Sequence, residues 1–290
     1  MKRLLLCLAA LSTPLAAQDP VPEGAVPFTW RERVTQGAWL RVYNHNGPVE
    51  AIEVTGDMAQ VQAEMAARSR SWEAPRYEVL RDGADVVVCV LPEDRGICRR
   101  DGISTRSSRG SSRSSTAAVT IRVPRGVRLA VWSGNGAVHV TGVAAEVDAS
   151  SGNGAVTVTG SGGPVRAFSG NGDVEVITAR GPVSARSGNG SVWARMRELG
   201  ATEDMEFHSG NGRITVELPG DFEGLIEAST ANGHIESDFP VTVEGRFSVR
   251  RLSGRIGGSD SRSSRRIKLW SGNGNLELRQ IGSASPPRRR

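Results

Sequence analysis

The sequence contains little of several residue types, and each scarcity excludes a class of protein. Aromatic residues make up 5% of the 290 residues and cysteine occurs three times, so the chain is not a small scaffold held by many disulfides. Beyond residue 17, no apolar run approaches the roughly 18 residues of a membrane-spanning helix. Glycine, at 35 residues, is too frequent for a helical bundle. Val and Ile recur throughout, which argues against simple disorder.

Lysine is nearly absent, and the basic excess lies at the chain ends. The formal net charge is +5, and Lys2, Arg3 and Arg288 to Arg290 account for all of it. The remaining chain has 31 basic and 31 acidic residues. A body with balanced charge lacks the basic surface of a nucleic-acid-binding protein. We therefore predict no nucleic-acid partner.

Residues 1–17 have the layout of a secretory signal peptide. Met1-Lys2-Arg3 is a short positive segment, Leu4 to Leu11 is apolar, and Leu15-Ala16-Ala17 offers small residues for cleavage. The apolar run is too short to span a membrane. We expect export, cleavage after Ala17, a mature chain without a transmembrane segment, and a periplasmic, cell-surface or extracellular location.

Two cysteines, Cys89 and Cys98, remain in the mature chain. The residues between them include Pro92 and Gly96, which favour a segment that folds back on itself. An oxidising compartment favours a disulfide between them, and two free thiols are the alternative. No Cys-x-x-Cys motif is present, so disulfide exchange chemistry is not expected.

An internal repeat is the strongest signal in the sequence. The tetrapeptide Ser-Gly-Asn-Gly occurs six times, and two variants, Thr230-Ala231-Asn232-Gly233 and Ser253-Gly254-Arg255-Ile256, fill the gaps. Successive copies begin 18 to 23 residues apart. The complete copies begin at Ser133, Ser151, Ser169, Ser187, Ser209 and Ser271.

Apolar residues occupy fixed positions around each copy. Positions are counted from the first residue of each copy. At four and two residues before it and at five and seven residues after it, 28 of 30 residues are apolar. At the intervening positions, three before and six after, only 2 of 15 residues are apolar. This alternation predicts strands with one buried face. Because one unit cannot bury that face alone, we expect consecutive units to stack. The predicted fold is all-β, a single-domain β-solenoid of ~18–23-residue coils with Ser-Gly-Asn-Gly turns.

The turn residues have expected roles. Glycine suits turns that need a positive φ, and asparagine tolerates such a backbone. Stacked asparagine amides could also bond to one another along the stack. The structural turn asparagines are Asn135, Asn153, Asn171, Asn189, Asn211, Asn232 and Asn273.

The chain outside the main repeat divides by composition. The segment Asn44-His45-Asn46-Gly47 resembles one more copy of the repeat. Two strands are predicted, at Tyr77–Leu80 and Asp85–Leu91. The pattern of residues 58–67 fits either a helix or a strand. The predicted organisation is a signal peptide (1–17), an N-terminal linker (18–37), an N-terminal β coil or cap region (38–98), a mobile Ser/Arg-rich loop (99–116), β-solenoid repeats (117–281) and a disordered basic tail (282–290).

The alternating pattern at Val119 to Val131, followed by repeated Ser-Gly-Asn-Gly-x-Val-x-Val, resembles a bacterial family. It is the family of exported β-strand-repeat proteins known as "putative adhesin" proteins, a domain of unknown function. The resemblance covers roughly Leu40 to Ile281. It implies a binding role in the cell envelope and supplies no catalytic residue.

Residues that could carry chemistry do not converge in the sequence. Glu175, Glu236 and Glu277 share one repeat position but are separated by Thr215, and the histidines show no metal-ligand spacing. We predict no catalytic site, no cofactor and no metal site. A possible interaction surface consists of residues that each precede a turn: Trp132, Phe168, His208 and Trp270. Ser150, Arg186, Ser229 and Leu252 interrupt this row, which favours local packing over a sugar-binding ladder.

The leading functional hypothesis is therefore a non-enzymatic, exported β-solenoid with a structural or adhesive role in the bacterial cell envelope. Its partner would be an envelope or surface protein or glycan. Two alternatives stay open, a polysaccharide-acting β-helix enzyme and a periplasmic scaffold or sensor in envelope stress.

Overall fold

The structure is a computed structural model that describes residues 27–65, 75–92, 96–105, 116–178, 180–199, 204–244, 248–257 and 265–282. The predicted signal peptide, residues 18–26 of the predicted linker, residues 106–115 of the predicted loop and residues 283–290 of the predicted tail lie outside the described residues.

Every regular element of the described chain is a strand, which confirms the all-β prediction. The strands are β1 (Phe28–Arg33), β2 (Trp39–Asn44), β3 (Val49–Val54), β4 (Met58–Met65), β5 (Arg76–Asp82), β6 (Asp85–Leu91), β7 (Gly96–Arg99), β8 (Gly102–Thr105), β9 (Ala117–Pro124), β10 (Arg128–Ser133), β11 (Val138–Thr141), β12 (Val147–Ser151), β13 (Val156–Ser161), β14 (Val165–Ser169), β15 (Val174–Thr178), β16 (Val183–Ser187), β17 (Val192–Met196), β18 (Met205–Ser209), β19 (Ile214–Leu218), β20 (Gly224–Asn232), β21 (Ile235–Ser237), β22 (Val241–Val243), β23 (Arg251–Ile256), β24 (Arg266–Asn273) and β25 (Leu276–Gln280).

The strands form two large mixed sheets and one hairpin. The eleven-stranded sheet has the order β1-β4-β9-β3-β11-β13-β15-β17-β19-β25-β21, and the twelve-stranded sheet has the order β22-β23-β20-β24-β18-β16-β14-β12-β10-β2-β6-β5. Strands β7 and β8 form the hairpin. Inner strands pair in parallel, whereas β1, β4, β5, β22 and β23 pair antiparallel near the sheet ends.

Each repeat unit around a complete tetrapeptide contributes one strand to each sheet. Equivalent residues pair without offset, so Val156 lies beside Val174 in the eleven-stranded sheet and Val147 lies beside Val165 in the twelve-stranded sheet. These side chains are buried in one continuous core. The alternation therefore predicts the buried face of these units correctly, because neither sheet can bury its apolar face alone.

The turn glycines are needed for close approach rather than for a positive φ, which corrects the expected reason. Among the described glycines with a positive φ, none belongs to a Ser-Gly-Asn-Gly turn. A Cβ on Gly172 would lie 2.4 Å from the carbonyl oxygen of Gly154, and one on Gly190 would lie 2.3 Å from that of Gly172. Stacked turns therefore leave no room for a side chain at these positions.

The buried serine of each turn connects neighbouring turns. The Ser187 hydroxyl donates to the carbonyl oxygen of Gly172 in the preceding turn at 2.8 Å and accepts from the Gly190 N–H in its own turn at 2.7 Å. Ser151, Ser169 and Ser209 repeat this arrangement. The serine thus satisfies buried backbone groups, as a buried polar group must.

The turn asparagines form a side-chain ladder. Asn171 Nδ2 donates to Asn153 Oδ1 at 2.6 Å, and equivalent bonds of 2.6 to 2.7 Å join successive turns. In spatial order, the ladder runs through Asn135, Asn153, Asn171, Asn189, Asn211, Asn273 and Asn232.

The spatial order of the last units differs from their order in the chain, so the expectation of consecutive stacking is wrong at this end. Strand β18 pairs with β24, and β20 lies on the far side of β24. The Ser271 unit therefore lies between the Ser209 and Thr230 units. A physical reason lies in the turn: the Ser271 copy has both glycines, and a Cβ on Gly272 would lie 2.5 Å from the Gly210 carbonyl oxygen. The Thr230 copy has Ala231 at that position, and its turn is extended within β20.

The Ser253 variant does not form another unit, which corrects a second expectation. Its residues lie inside β23, which pairs antiparallel with β20. Val249, at a predicted core position, is 66% exposed, and Arg251 is also exposed. The variant lacks the Asn-Gly pair, so the chain continues as a strand where the other copies turn.

The N-terminal region completes the other end of both sheets. Strands β2 and β3 pair in register with β10 and β11, and Asn44 lies beside Ser133. Residues 58–65 are strand β4, which settles the helix-or-strand alternative. The predicted linker contains β1, and the predicted loop contains β8, where Ile103 and Thr105 favour a strand. The charged strand β5 forms the sheet edge, a position where charge discourages pairing with other chains.

A disulfide joins Cys89 in β6 to Cys98 in β7, with 5.8 Å between the two Cα atoms. Both cysteines lie in a small buried cluster with Tyr43, Val87 and Leu91. The disulfide therefore attaches the β7–β8 hairpin to the outer face of the twelve-stranded sheet.

Gly172→Ala tests the close approach of the turns. Because the new Cβ would contact backbone that cannot rotate away, we expect a loss of about 1–3 kcal/mol in the free energy of unfolding, measured as a lower midpoint in urea. Gly220→Ala is the matched control, since a Cβ on Gly220 would have its nearest contact 3.9 Å away on the Gln280 side chain. Equal midpoints for the two variants would contradict the packing argument.

Cys89→Ser with Cys98→Ser tests the disulfide. The bond spans a sequence separation of 9, for which loop closure predicts a loss of about 2–3 kcal/mol. The measurement is the thermal midpoint of the purified protein with and without reductant. The reductant should lower the midpoint of the natural chain and leave that of the variant unchanged; an unaffected natural chain would refute the stabilising role.

Candidate functional site

The outer face of the twelve-stranded sheet carries the predicted interaction residues in one row. We call this row, formed by the residue directly before each turn serine or its equivalent, the pre-turn column. Phe168 and Trp270 are 48% and 45% exposed. In sheet order the column is Tyr43, Trp132, Ser150, Phe168, Arg186, His208, Trp270 and Ser229.

The altered order of the last units places Trp270 beside His208. The two rings stack with their centroids 4.3 Å apart and their planes inclined by 30°. If the units stacked in chain order, Ser229 would lie next to His208. The sequence therefore did not predict the His208–Trp270 pair. Burial, followed by the charge of Arg186, lowers the pKa of His208, while Glu206 acts in the opposite direction. The ring is thus neutral near pH 7.

A cavity of about 520 Å³ opens beside this stack. We call it the Trp270 groove. Its charged lining residues are Glu206, Glu227, Arg251 and Lys268. Arg186 pairs with Glu206 at 2.6 Å and Arg266 pairs with Glu227 at 3.4 Å. In the part of the chain that the structure describes, no carboxylate pairs with the Lys268 ammonium.

At the other end of the column, Trp132 packs against the disulfide cluster. A smaller cavity of about 320 Å³ there is lined by Trp132, Tyr43, Asp148 and residues of the β7–β8 hairpin. The Tyr43 hydroxyl donates to the Arg100 carbonyl oxygen at 3.1 Å. Burial raises the pKa of Asp148, and Arg166 partly offsets this effect. Trp132 therefore helps to hold the hairpin, whereas Phe168 is exposed.

The opposite sheet brings together two carboxylates that the sequence analysis expected to be separated. Glu277 lies directly between Thr215 and Glu236, because β25 is inserted between β19 and β21. Arg279 forms ion pairs with Glu236, with Asp238 at 3.1 Å and with Glu277 at 3.5 Å. Burial alone would raise the pKa of Glu236, but hydrogen bonds from Arg279 and His234 lower it. The Glu236 carboxylate is thus held in its charged form.

A similar ion pair lies nearby on the same sheet. Glu217, although buried, accepts hydrogen bonds from Trp193 Nε1 at 2.9 Å and from Arg195 at 2.6 Å.

Among the described residues, no group of three or more His, Cys, Asp or Glu side chains could hold a metal ion. Within the described ranges, no helical segment has the length and apolar character needed to span a bilayer.

Comparisons with known proteins find a family model that matches part of the repeat. Residues 153–247 match the family described as "Domain of unknown function (DUF7330)". This match confirms that the repeat resembles a domain family of unknown function. No curated protein matches the chain.

Several solved structures are similar to the chain at low sequence identity. A "putative cell adhesion protein" from Clostridium sporogenes is 12% identical, with a TM-score of 0.36, over 88% of this chain and 100% of that one. A "putative adhesin" from Bacteroides fragilis is 10% identical, with a TM-score of 0.40, over 87% and 97% of the two chains. Another from Parabacteroides distasonis is 7% identical, with a TM-score of 0.29, over 87% and 97%.

His208→Phe tests the neutral stack. Because the pKa of His208 is lowered in the folded chain, the unfolded chain binds a proton at higher pH, and stability falls as pH drops below about 6.5. Phenylalanine keeps a stacked ring without titrating. We expect the thermal midpoint of the variant to fall less between pH 7.5 and pH 5 than that of the natural chain. Burial also lowers the pKa of His45, so the variant should keep part of the pH dependence. Identical pH dependence of the variant and the natural chain would refute the assignment to His208.

Proposed function

We propose that this chain is an exported, non-enzymatic β-solenoid that binds a partner in the bacterial cell envelope. The binding surface is the outer face of the twelve-stranded sheet. The observation that carries the proposal is the exposure of Phe168 and Trp270 on strands whose positions are set by parallel pairing on both sides. Exposed aromatic side chains on a preorganised surface are typical binding residues.

The solenoid architecture is part of this proposal. In-register parallel pairing of successive units, the asparagine ladder and the core between two sheets all support it. Such an arrangement presents side chains at about 4.8 Å intervals along a sheet. A partner with its own repeating structure could therefore contact several positions of the pre-turn column at once.

The carboxylate geometry supports a binding role over glycoside hydrolysis. A hydrolase needs one carboxylic acid with a raised pKa beside a second carboxylate. The adjacent pair Glu236 and Glu277 is instead ion-paired to Arg279, and the pKa of Glu236 is lowered. Asp148 has a raised pKa, but its neighbour Glu146 is paired with Arg166 at 2.6 Å.

We also propose the chain organisation predicted from the sequence: export directed by residues 1–17 with cleavage after Ala17, and a mature chain located in the periplasm or at the cell surface. The buried disulfide between Cys89 and Cys98 supports this location, because disulfides persist in oxidising compartments.

The test is sedimentation of the purified mature chain with isolated cell envelopes. Phe168→Ala combined with Trp270→Ala should weaken binding by about tenfold or more, because aromatic contacts dominate the energy of such surfaces. Ile52→Ala is the matched control, since Ile52 is 48% exposed but lies on the eleven-stranded sheet. Binding that is unaffected by the double variant would contradict the proposed surface. Release of reducing sugar ends that one acidic substitution abolishes would contradict the non-enzymatic role.

A further inference from the structure

We propose that the Trp270 groove binds a neutral sugar ring, stacked on Trp270 over Ser229. This inference rests on the proposed function and names the ligand class for one part of the same surface. It follows from the spatial order of the pre-turn column, in which Trp270 lies between His208 and Ser229.

One face of the Trp270 ring is covered and the other is open. His208 stacks on the side of β18. On the side of β20 the neighbouring residue is Ser229, whose side chain is too short to cover an indole ring. Trp270 remains 45% exposed even though it is stacked on one face. The open face is a flat apolar surface that can contact the C–H groups of a sugar ring.

The gap above Ser229 has the width of one ring. Beyond Ser229, the next residue in this row is Arg251 on β23. Trp270 and Arg251 are thus two strand spacings apart, about 9.6 Å. A ring that makes van der Waals contact on both faces needs about 7–8 Å. A single ring therefore fits between the indole and the planar guanidinium, which itself favours stacked contacts.

The polar groups of the groove match hydroxyl groups around the edge of such a ring. Ser229 and Ser253 line the groove, and their hydroxyls make no hydrogen bond to any residue that the structure describes. The Lys268 ammonium is a hydrogen-bond donor, and it has no ion-pair partner among the residues that the structure describes. Glu227 offers an acceptor. A cavity with an apolar wall and a few polar groups is typical of small-molecule sites.

The charges of the groove favour a neutral ligand. Its lining contains two carboxylates, Glu206 and Glu227, and two cations, Arg251 and Lys268. An anionic or cationic ligand would meet a like charge on one side, which costs free energy. A neutral polyol gains hydrogen bonds from both signs, so salt should have little effect on its binding.

The experiment titrates the mature chain with soluble neutral oligosaccharides: cellohexaose, maltohexaose, xylohexaose and tetra-N-acetylchitotetraose. Binding is followed by tryptophan fluorescence and calorimetry at low and high salt. We expect at least one of them to bind, with a dissociation constant that changes less than about twofold with salt. Trp270→Ala should raise that constant by about tenfold, and Trp270→Phe should raise it less, because phenylalanine keeps an aromatic face.

Ser229→Phe distinguishes the gap from the tryptophan alone. The phenyl ring would fill the space above Ser229 and abolish binding although Trp270 is retained. Thr157→Phe is the matched control, since Thr157 lies on the eleven-stranded sheet and this variant should bind like the natural chain. Thermal midpoints of all variants establish that each is folded. Undiminished binding by Ser229→Phe would overturn the inference.

The outcome also separates this inference from the proposed function. Envelope binding that depends on Phe168 and Trp270, without binding of any oligosaccharide, would overturn the sugar site alone. If no oligosaccharide binds and protease treatment of the envelopes abolishes that envelope binding, the partner is a protein and the sugar site is likewise overturned. Binding of neither envelopes nor oligosaccharides would overturn both proposals.

Discussion

The close contact between stacked turns is the constraint on which the rest of the structure depends. Each turn glycine lies so near the preceding turn that a Cβ at Gly172 would be 2.4 Å from backbone oxygen. The buried serine hydroxyl then joins the two turns. This contact fixes the register of both sheets, because each turn connects a strand of one sheet to a strand of the other. Side chains on the outer faces are positioned as a result.

The alternating apolar pattern made the buried face predictable, because a strand of period two can bury only one set of its side chains. The Ser-Gly-Asn-Gly sequence predicted where strands end, because the chain turns at each complete copy. The roles of the turn glycines and serines were not predicted correctly. The positive φ expected for the glycines was wrong, and the serine, which appears only as a polar residue in the sequence, is buried and bonded on both sides.

The order of the units could not be predicted, since every unit has the same apolar positions and can pair with any other. The choice depends on local differences such as Ala231, whose effect is visible only when the neighbouring backbone is known. Two features of the outer faces follow from this order, the His208–Trp270 stack and the adjacency of Glu236 and Glu277. Neither pair is close in the chain, so neither was expected.

The insertion of the Ser271 unit between the Ser209 and Thr230 units has a consequence for the order of events during folding. Residues 205–218 are synthesised before residues 266–280, so their open strand edges have no final neighbour until almost the whole chain has been made. The Thr230 segment is synthesised earlier than the Ser271 segment, against which it must lie. Correct assembly therefore requires that it does not attach prematurely to the edge that the last unit will occupy.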